Sequence, residues 1–317
     1  MMSRLVTARL LQALVAALLI ATLCFAMMQT LPGDAAMRIA ASRYGPDAMS
    51  QQLAEAVRLE LGLERPLLTQ YAASLMQLAR LDLGYSLVSG APVIEELKVQ
   101  LGHSLWLALL ALALSLLFGP TLGLLAGIRP GGWVDRLSLG LSILLRALPP
   151  FVLGLLLIMV FSLWLGWLPP AGFGSWRHLL LPALTLALGL AALSSRVTRD
   201  AMAEVAAAPY FAYGRQKGLD GLALAGRHGA RNAAIPVVAY LGLQSVYLIE
   251  GVVVVESLFA FPGIGHALVH AIIARDVPMV QGTVLIMGLL FIFINLLVDT
   301  LCRRLDPRLN AWQEVRR

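Results

Sequence analysis

The second half of the chain holds one long polar interruption, RVTRDAMAEVAAAPYFAYGRQKGLDGLALAGRHGARNAAIP, which runs from Arg196 to Pro236 and carries six basic side chains. A helix that begins near Tyr210 would end at Gly218, where a residue tolerant of positive φ is needed. Asp220 can cap a helix that follows. The stretch therefore predicts a helix, a tight turn and a second helix.

The composition around this stretch is that of a membrane protein. Hydrophobic residues make up 59% of the 317 residues, charged residues only 13%, and the mean hydropathy is +0.80. Globular domains are roughly 45 to 50% apolar and 25% charged. Cys24 and Cys302 lie in apolar runs without metal or redox spacing, so they indicate no disulfide framework.

A bilayer-spanning helix needs about 20 predominantly apolar residues. The sequence offers six such windows: Leu10 to Met28, Ser104 to Ile128, Leu137 to Leu165, Leu179 to Leu193, Ala234 to Val255, and Val284 to Leu301. We therefore expect an all-α integral membrane protein with six transmembrane helices.

The third window is too long for one span and contains Pro149 and Pro150, where a helix must break or kink. Only the part after Pro149 needs to span. Arg146 precedes the two prolines and is expected to snorkel to the inner interface, with a cargo contact as the alternative.

Basic residues predict the orientation. With the N-terminus inside, most arginines and lysines fall in cytoplasmic segments, whereas the short outer loops hold only Arg177 and Arg275. Both termini are therefore expected in the cytoplasm, and the net charge of +6 indicates topology rather than nucleic-acid binding.

The first apolar run has two interpretations. It follows Arg4 and Arg9, as a secretory signal peptide would, but it is longer than the usual 7 to 15 apolar residues and no A-x-A site ends it. We interpret it as an uncleaved anchor.

The polar stretch resembles the cytoplasmic coupling loop of bacterial ABC-importer permeases of the dipeptide, oligopeptide and nickel group. The similarity lies in Tyr210, Arg215, Lys217, Gly218, Leu219, His228, Arg231-Asn232-Ala233 and Pro236. Further landmarks agree in order along nearly the whole chain: Pro32-Gly33-Asp34, Leu61-Gly62-Leu63, Arg65-Pro66, Gln70-Tyr71, Asp82-Leu83-Gly84-x-Ser86, Pro262-Gly263-x-Gly265, Arg275-Asp276-x-Pro278 and Asp306-Pro307-Arg308.

The resemblance implies the first permease subunit of a type I importer, in the bacterial inner membrane and in contact with its lipid. Its implied partners are a second homologous permease, two cytoplasmic ATPases and an extracytoplasmic substrate-binding protein, with no nucleic acid. No G-x-x-x-x-G-K-[ST] phosphate loop occurs in the sequence. We expect this chain to bind no cofactor, and ATP and Mg to bind the partner subunits.

By the same resemblance, residues 200–233 would form the coupling helices that dock on an ATPase, the first of them from Tyr210 to Lys217. The residues assigned to this contact are Glu204, Tyr210, Arg215, Lys217, Gly218, Arg231 and Asn232. A basic loop is also what topology alone would require. The paired-helix layout and the order of the motifs favour the coupling role.

The fifth window carries polar side chains at helical spacing, Tyr240, Gln244 and Tyr247, with Glu250 just off their face. Polar and ionisable side chains in a span usually face a bundle interior or a water-filled path. We predict that this face lines the translocation path and that Glu250 favours cationic or amine-bearing cargo. The alternative for Glu250 is a hydrogen-bonded packing role.

His266 and His270 are four residues apart on a predicted outer-face helix, a spacing that can ligate a transition metal. The sequence shows no third ligand beside them. We expect no metal site, with these two histidines as the weak alternative.

The segment 32–100 is too polar to span but has helical periodicity around Leu53 to Leu63 and Leu67 to Leu81. It is expected to form a helical outer-face cap that meets the binding protein. The expected division is thus 1–31 for the cytoplasmic stub and first span, 32–100 for the cap, 101–303 for a permease core of five spans, and 304–317 for a cytoplasmic tail.

Two other classes of protein are alternatives to a permease. An ion-coupled secondary transporter would need charged residues at mid-membrane, of which Glu250 is the one example, and it would leave the coupling loop without a role. An intramembrane enzyme would need H-E-x-x-H, G-x-S-G or paired aspartates within the spans, and the sequence has none of these. Cargo stays open among dipeptides, longer peptides, glutathione, nickel and metal chelates.

Overall fold

The computed structural model describes residues 2–30, 33–44, 51–60, 62, 64–218, 226, 240, 244, 247–249 and 251–305. In these ranges the chain forms helices and connecting loops, and the only β-type pairing is an isolated bridge between Tyr85 and Pro92. The helices are α1 Met2–Thr30, α2 Ala35–Tyr44, α3 Gln51–Glu60, α4 Leu67–Ala79, α5 Val93–Ile128, α6 Trp133–Ala147, α7 Pro150–Leu157, a π-helix Ile158–Trp164, α8 Trp176–Ala207, α9 Pro209–Gln216, α10 Ile264–Ile273 and α11 Val277–Leu305.

Four of the described helices are long and apolar enough to cross a membrane, and a bent pair raises the number to five. They correspond to the first, second, fourth and sixth predicted windows, and the bent pair to the third. Most of the fifth window lies outside the described residues, although 247–249 and 251–258 are helical. The all-helical membrane fold is confirmed, whereas six spans remain a prediction.

The two consecutive prolines break the third span, as predicted. Leu148 is extended at φ −85° and ψ 126°, as the residue before a proline prefers, and α7 begins at Pro150. The axes of Trp133–Ala147 and Pro150–Trp164 diverge by 108°. Arg146 therefore stands in the last turn before a sharp bend.

The chain divides into two compact units, the first of which comprises Met1–Ser104 and Pro262–Ile292. The predicted helices of segment 32–100 are present as α2, α3 and α4. Tyr71 on α4 reaches α1, where its hydroxyl lies 2.7 Å from that of Thr22 and its ring packs 5.3 Å from that of Phe25. Val93 and Leu97 of α5 pack against Met279 and Val280 of α11 in a buried cluster.

The second unit comprises Leu105–Phe261 and Phe293–Arg317. Its largest buried cluster joins Leu107 of α5 and Leu186 of α8 to Val255 and Phe259. Two thirds of the apolar window of α8 is buried, at 67%, against 11% for that of α1. Helix α8 is thus the central helix of this unit, and the side chains that matter for function are placed by their contacts with it.

Candidate coupling and translocation sites

The predicted first helix and turn in the polar stretch are present, whereas the predicted second helix and its cap at Asp220 lie outside the described residues. Helix α8 ends at Ala207, Ala208 is extended at φ −71° and ψ 144°, and α9 begins with Pro209 at a position that suits a residue with a fixed φ and no N–H. Gly218 follows α9 with φ +82°, the left-handed conformation expected of it. Residues 200–207, including Glu204, are the last turns of α8, so the separate helix predicted for coupling, α9, begins only at Pro209.

Helix α9 has a buried side and an exposed side. Phe211 has no exposed surface and packs against Met202 and Val205 at the end of α8. Tyr210 and Tyr213 are 47% and 59% exposed. The ammonium of Lys217 lies 4.7 Å from the centre of the Tyr213 ring. The helix is therefore fixed to α8 on one side and offers aromatic and basic groups on the other.

The residues predicted for ATPase coupling are only partly described. Glu204, Tyr210, Lys217 and Gly218 are all exposed. The side chain of Arg215 and the whole of Arg231 and Asn232 lie outside the described residues. Phe211, which holds α9 in place, was missed because an aromatic residue in a polar loop does not show from sequence alone which side is buried.

Glycines at every fourth position bring α5 into close contact with α8. A Cβ at Gly119 would lie 2.0 Å from the Ser194 Oγ, and a Cβ at Gly123 would lie 2.4 Å from the Ser195 carbonyl oxygen. Gly127 continues the row against Met202. Small residues at this spacing let two helix backbones approach closely in a membrane. Sequence reasoning missed this contact, although the four-residue spacing was visible.

A buried carboxylate joins α6 to α8. Asp135, whose side chain is 7% exposed, accepts hydrogen bonds from Arg199 Nη2 at 2.6 Å and Nε at 2.9 Å and from the Gly131 N–H at 2.9 Å. Arg196 Nη1 lies 3.4 Å from its Oδ1, and Arg199 also binds the exposed Asp200 at 3.0 Å. We call Asp135, Arg196, Arg199 and Asp200 the Asp135 cluster. Sequence reasoning missed this cluster because it depends on which face of α8 meets α6.

Two of the predicted path residues, Gln244 and Tyr247, also lie against α8, nine to ten residues before Arg199. Gln244 is 4% exposed and donates from Nε2 to the Leu190 carbonyl at 3.1 Å. The Tyr247 hydroxyl packs so closely on Gly189 that a Cβ there would lie 2.4 Å away. Tyr240 is half-buried, and Glu250 lies outside the described residues. The Gln244 side chain is thus hydrogen-bonded to the backbone of α8, while the two tyrosines are partly exposed.

Arg146, at the end of α6, faces these tyrosines. Its guanidinium carbon lies 6.0 Å from the centre of the Tyr247 ring, and its charge also acts on Tyr240. We call Arg146, Tyr240 and Tyr247 the Arg146 cluster. The structure therefore adds a cation to the face that the sequence had marked by its polar spacing.

The two histidines on α10 contact each other edge to face, with ring centres 4.4 Å apart. Burial and the neighbouring His270 lower the pKa of His266, which favours the neutral imidazole. Neutral imidazole is the form that binds metals. Within the ranges that the structure describes, however, no group of three or more histidine, cysteine or carboxylate side chains could hold a metal ion.

Comparison with known proteins supports the resemblance seen in the sequence. Residues 119–311 match the family described as binding-protein-dependent transport system inner membrane component, and residues 2–90 match the N-terminal family of such membrane components. The glutathione transport system permease protein GsiC of Escherichia coli strain K12 is 39% identical over 292 residues, which cover 92% of this chain and 94% of that protein. The protein of the same name from Salmonella typhimurium strain LT2 is 40% identical over 293 residues, with the same coverage.

These matches extend over both units and include the described parts of the polar stretch. The family description states that its members lie in the inner membrane and that their transport depends on a binding protein. The chain belongs to the family of binding-protein-dependent transport system inner membrane components, and it is the permease component of an ABC importer rather than an enzyme.

Proposed function

We propose that this permease imports glutathione or related short peptides, as one of two homologous permease subunits that work with two ATPases and an extracytoplasmic binding protein. The observation that carries the cargo assignment is the 39% to 40% identity, over 92% of the chain, to permease proteins named for glutathione transport. Nickel is the weaker cargo, since His266 and His270 find no third ligand in the described ranges. ATP and Mg would bind the ATPases, and both termini of this chain would be cytoplasmic.

Coupling is assigned to the exposed side of α9. Phe211 holds this helix against Met202 and Val205, so a push on Tyr210 or Tyr213 would be transmitted to α8 as a rigid body. Helix α8 is in turn held to α5 by the glycine row and to α6 by the Asp135 cluster. Closure of the ATPases would thus displace α8 and move the bend at Pro149 with it. Such coupling needs an element with two arrangements that both sites bias.

The coupling role is tested in the complete, reconstituted transporter. Tyr210→Ala and Tyr213→Ala remove exposed aromatic groups from α9, so we expect loss of transport and of the ATPase activity that the loaded binding protein stimulates. Phe293→Ala is the matched control, because Phe293 on α11 is similarly exposed, at 61%, and lies outside the expected outer-face cap. Full ATPase stimulation and unchanged subunit stoichiometry in both α9 variants would contradict the role. Labelling of Tyr213→Cys from the cytoplasmic side alone would support the orientation.

The cargo is tested by uptake into vesicles that contain the permeases, the ATPases and the loaded binding protein. We expect ATP-dependent uptake of glutathione or a dipeptide and none in the absence of the ATPases. Import of Ni²⁺ without any peptide, or uptake driven by an ion gradient without ATP, would overturn the proposal. The second of these outcomes would restore the ion-coupled alternative.

Glu250 is assigned a preference for the amine of the cargo, because an acid in the fifth span faces either the path or a hydrogen-bonding partner. Glu250→Gln should lower uptake of cargo with a free amine relative to its N-acetylated form. A ratio unchanged from the wild type would assign Glu250 to packing.

A further inference from the structure

The place of the Arg146 cluster along α8 indicates its depth in the membrane, with Trp176 and Arg199 taken as the interfacial residues of that helix. The cluster meets α8 at Gly189, which is thirteen residues from Trp176 at one end and ten from Arg199 towards the other. At 1.5 Å per residue these separations are about 20 Å and about 15 Å. The apolar core of a bilayer is about 30 Å thick. Either interface is thus about half a membrane away.

Snorkelling does not account for Arg146 at this depth. A snorkelling arginine can move its guanidinium only by the length of its own side chain. This reaches the interface from a position near the end of a spanning helix but not from mid-membrane. Arg146 does lie at the end of α6, but that end is turned into the bend at Pro149. The expectation that Arg146 reaches the inner interface does not fit this position.

Among the residues that the structure describes, the Arg146 charge finds little compensation. Arg146 is exposed, and its guanidinium carbon lies 6.0 Å from the centre of the Tyr247 ring. Throughout the ranges covered by the structure, no carboxylate lies within ion-pair distance of its guanidinium. A guanidinium carries five N–H donors, and a charge that faces lipid at mid-membrane is costly. Such a residue is retained where a water-filled path or a ligand satisfies it.

We propose that Arg146 lines the translocation path and binds the carboxylate of the cargo in passage, with the ring of Tyr247 as the surface on which its guanidinium rests. This inference rests on the proposed function, since glutathione and peptides carry carboxylates and Ni²⁺ does not. The planar fork of arginine matches a carboxylate with two parallel N–H···O bonds. A single exposed contact of this kind can also release its ligand, as transport requires.

The test compares two forms of one dipeptide, with a free C-terminal carboxylate or with a C-terminal amide, each at concentrations that saturate the binding protein. In the complete transporter, Arg146→Gln should lower uptake of the carboxylate form about tenfold, the effect of losing one hydrogen bond to a charged group, and leave the amide form at its wild-type rate. Arg136→Gln is the matched control, because Arg136 is an exposed arginine on the same helix. It should change neither rate.

Two further variants separate the charge from a structural role. Arg146→Lys keeps the charge without the fork and should retain intermediate uptake of the carboxylate form. Arg146→Cys should lose that uptake and recover it after reaction with a cationic thiosulfonate reagent, but not after reaction with a neutral or anionic one. The wild-type transporter, which holds Cys24 and Cys302, receives the same reagents as a control.

Equal loss of both dipeptide forms in Arg146→Gln would overturn the inference and would indicate an ion pair with another subunit. No loss of either form would overturn it as well. Failure of the wild-type transporter to import any peptide would instead overturn the proposed function, and this inference with it.

Discussion

The Asp135 cluster and the Arg146 cluster lie against the same helix, and they treat charge in opposite ways. In the first, a carboxylate that is 7% exposed is bound by two arginines and a backbone N–H. In the second, an exposed arginine lies beside the ring of Tyr247, and no acid pairs with it among the described residues. The Asp135 cluster has the features of a structural joint, whereas the Arg146 cluster retains unused hydrogen-bonding capacity. Two arginines of the same unit, Arg199 and Arg146, can therefore have different roles, and their described partners distinguish them.

The largest effect is expected from Asp135→Asn. Removing one partner of a buried ion pair leaves the other charge uncompensated, which costs about 3 kcal/mol or more. We expect a strongly lowered thermal midpoint of the purified permease. Asp200→Asn is the control, because Asp200 binds the same Arg199 at 3.0 Å but is 67% exposed, and exposed pairs contribute about 1 kcal/mol or less. Equal shifts in the two variants would remove the distinction between the clusters.

Gly123→Ala should cause the second-largest loss of stability. Its Cβ would lie 2.4 Å from the Ser195 carbonyl oxygen, which cannot move without shifting α8, and overpacking of this kind costs about 2 kcal/mol. Gly140→Ala is the matched control, since the added methyl group there would meet no atom within 4 Å beyond its chain neighbours and the adjoining backbone of α6. The control should be neutral or slightly stabilising in the same thermal measurement. A Gly123→Ala variant as stable as the control would show that α8 is not held rigidly.

Ser195→Ala should have a smaller effect, because it removes the 3.1 Å hydrogen bond between Ser195 and Ser142 while Ser142 keeps its bond to Ser138. The expected cost is about 1 kcal/mol. Ser115→Ala should not lower the thermal stability, because the buried Ser115 hydroxyl has no hydrogen-bond partner in the described part of the chain. That variant should unfold at the same or a higher temperature, and a large loss in it would contradict the assignment.

The smallest change in stability is expected from Arg146→Gln. A cation–π contact at 6.0 Å contributes about 0.5 to 1 kcal/mol, so the thermal midpoint should barely move although uptake of carboxylate cargo falls. Measured beside Asp135→Asn, this variant gives the sharpest form of the comparison. Both substitutions replace a charged group by an amide, one in a joint and the other on the path. A large destabilisation by Arg146→Gln would make Arg146 structural.

Elements whose cause is local could be predicted from sequence. Apolar windows gave the long helices, Pro149 and Pro150 gave the break in the third span, and the glycine at 218 gave the left-handed residue after α9. Each of these follows from the conformational preference of single residues or from the length of one apolar run. The bounds were less accurate, because α8 continues past its apolar window to Ala207.

Features that depend on which helix faces meet could not be predicted in this way. Asp135 and Arg199 are 64 residues apart, and nothing in the sequence indicates that they form a pair. The depth of Arg146 likewise follows from the contact of Tyr247 with Gly189, so the sequence left Arg146 between two interpretations. The polar spacing of Tyr240, Gln244 and Tyr247 predicted a face of the fifth span, but it did not show that Gln244 binds the Leu190 carbonyl.

One hydrogen bond in the first unit affects how this protein can be shortened. Asp276, 2% exposed, accepts a 2.5 Å bond from the hydroxyl of Ser86 and a 3.3 Å bond from the N–H of Met279 at the start of α11. Excision of the segment between the first two long helices would strip a buried acid of a donor that comes from 190 positions earlier. That segment therefore cannot be removed alone. A shortened permease must also replace Asp276, because the segment supplies a hydrogen bond to this buried carboxylate.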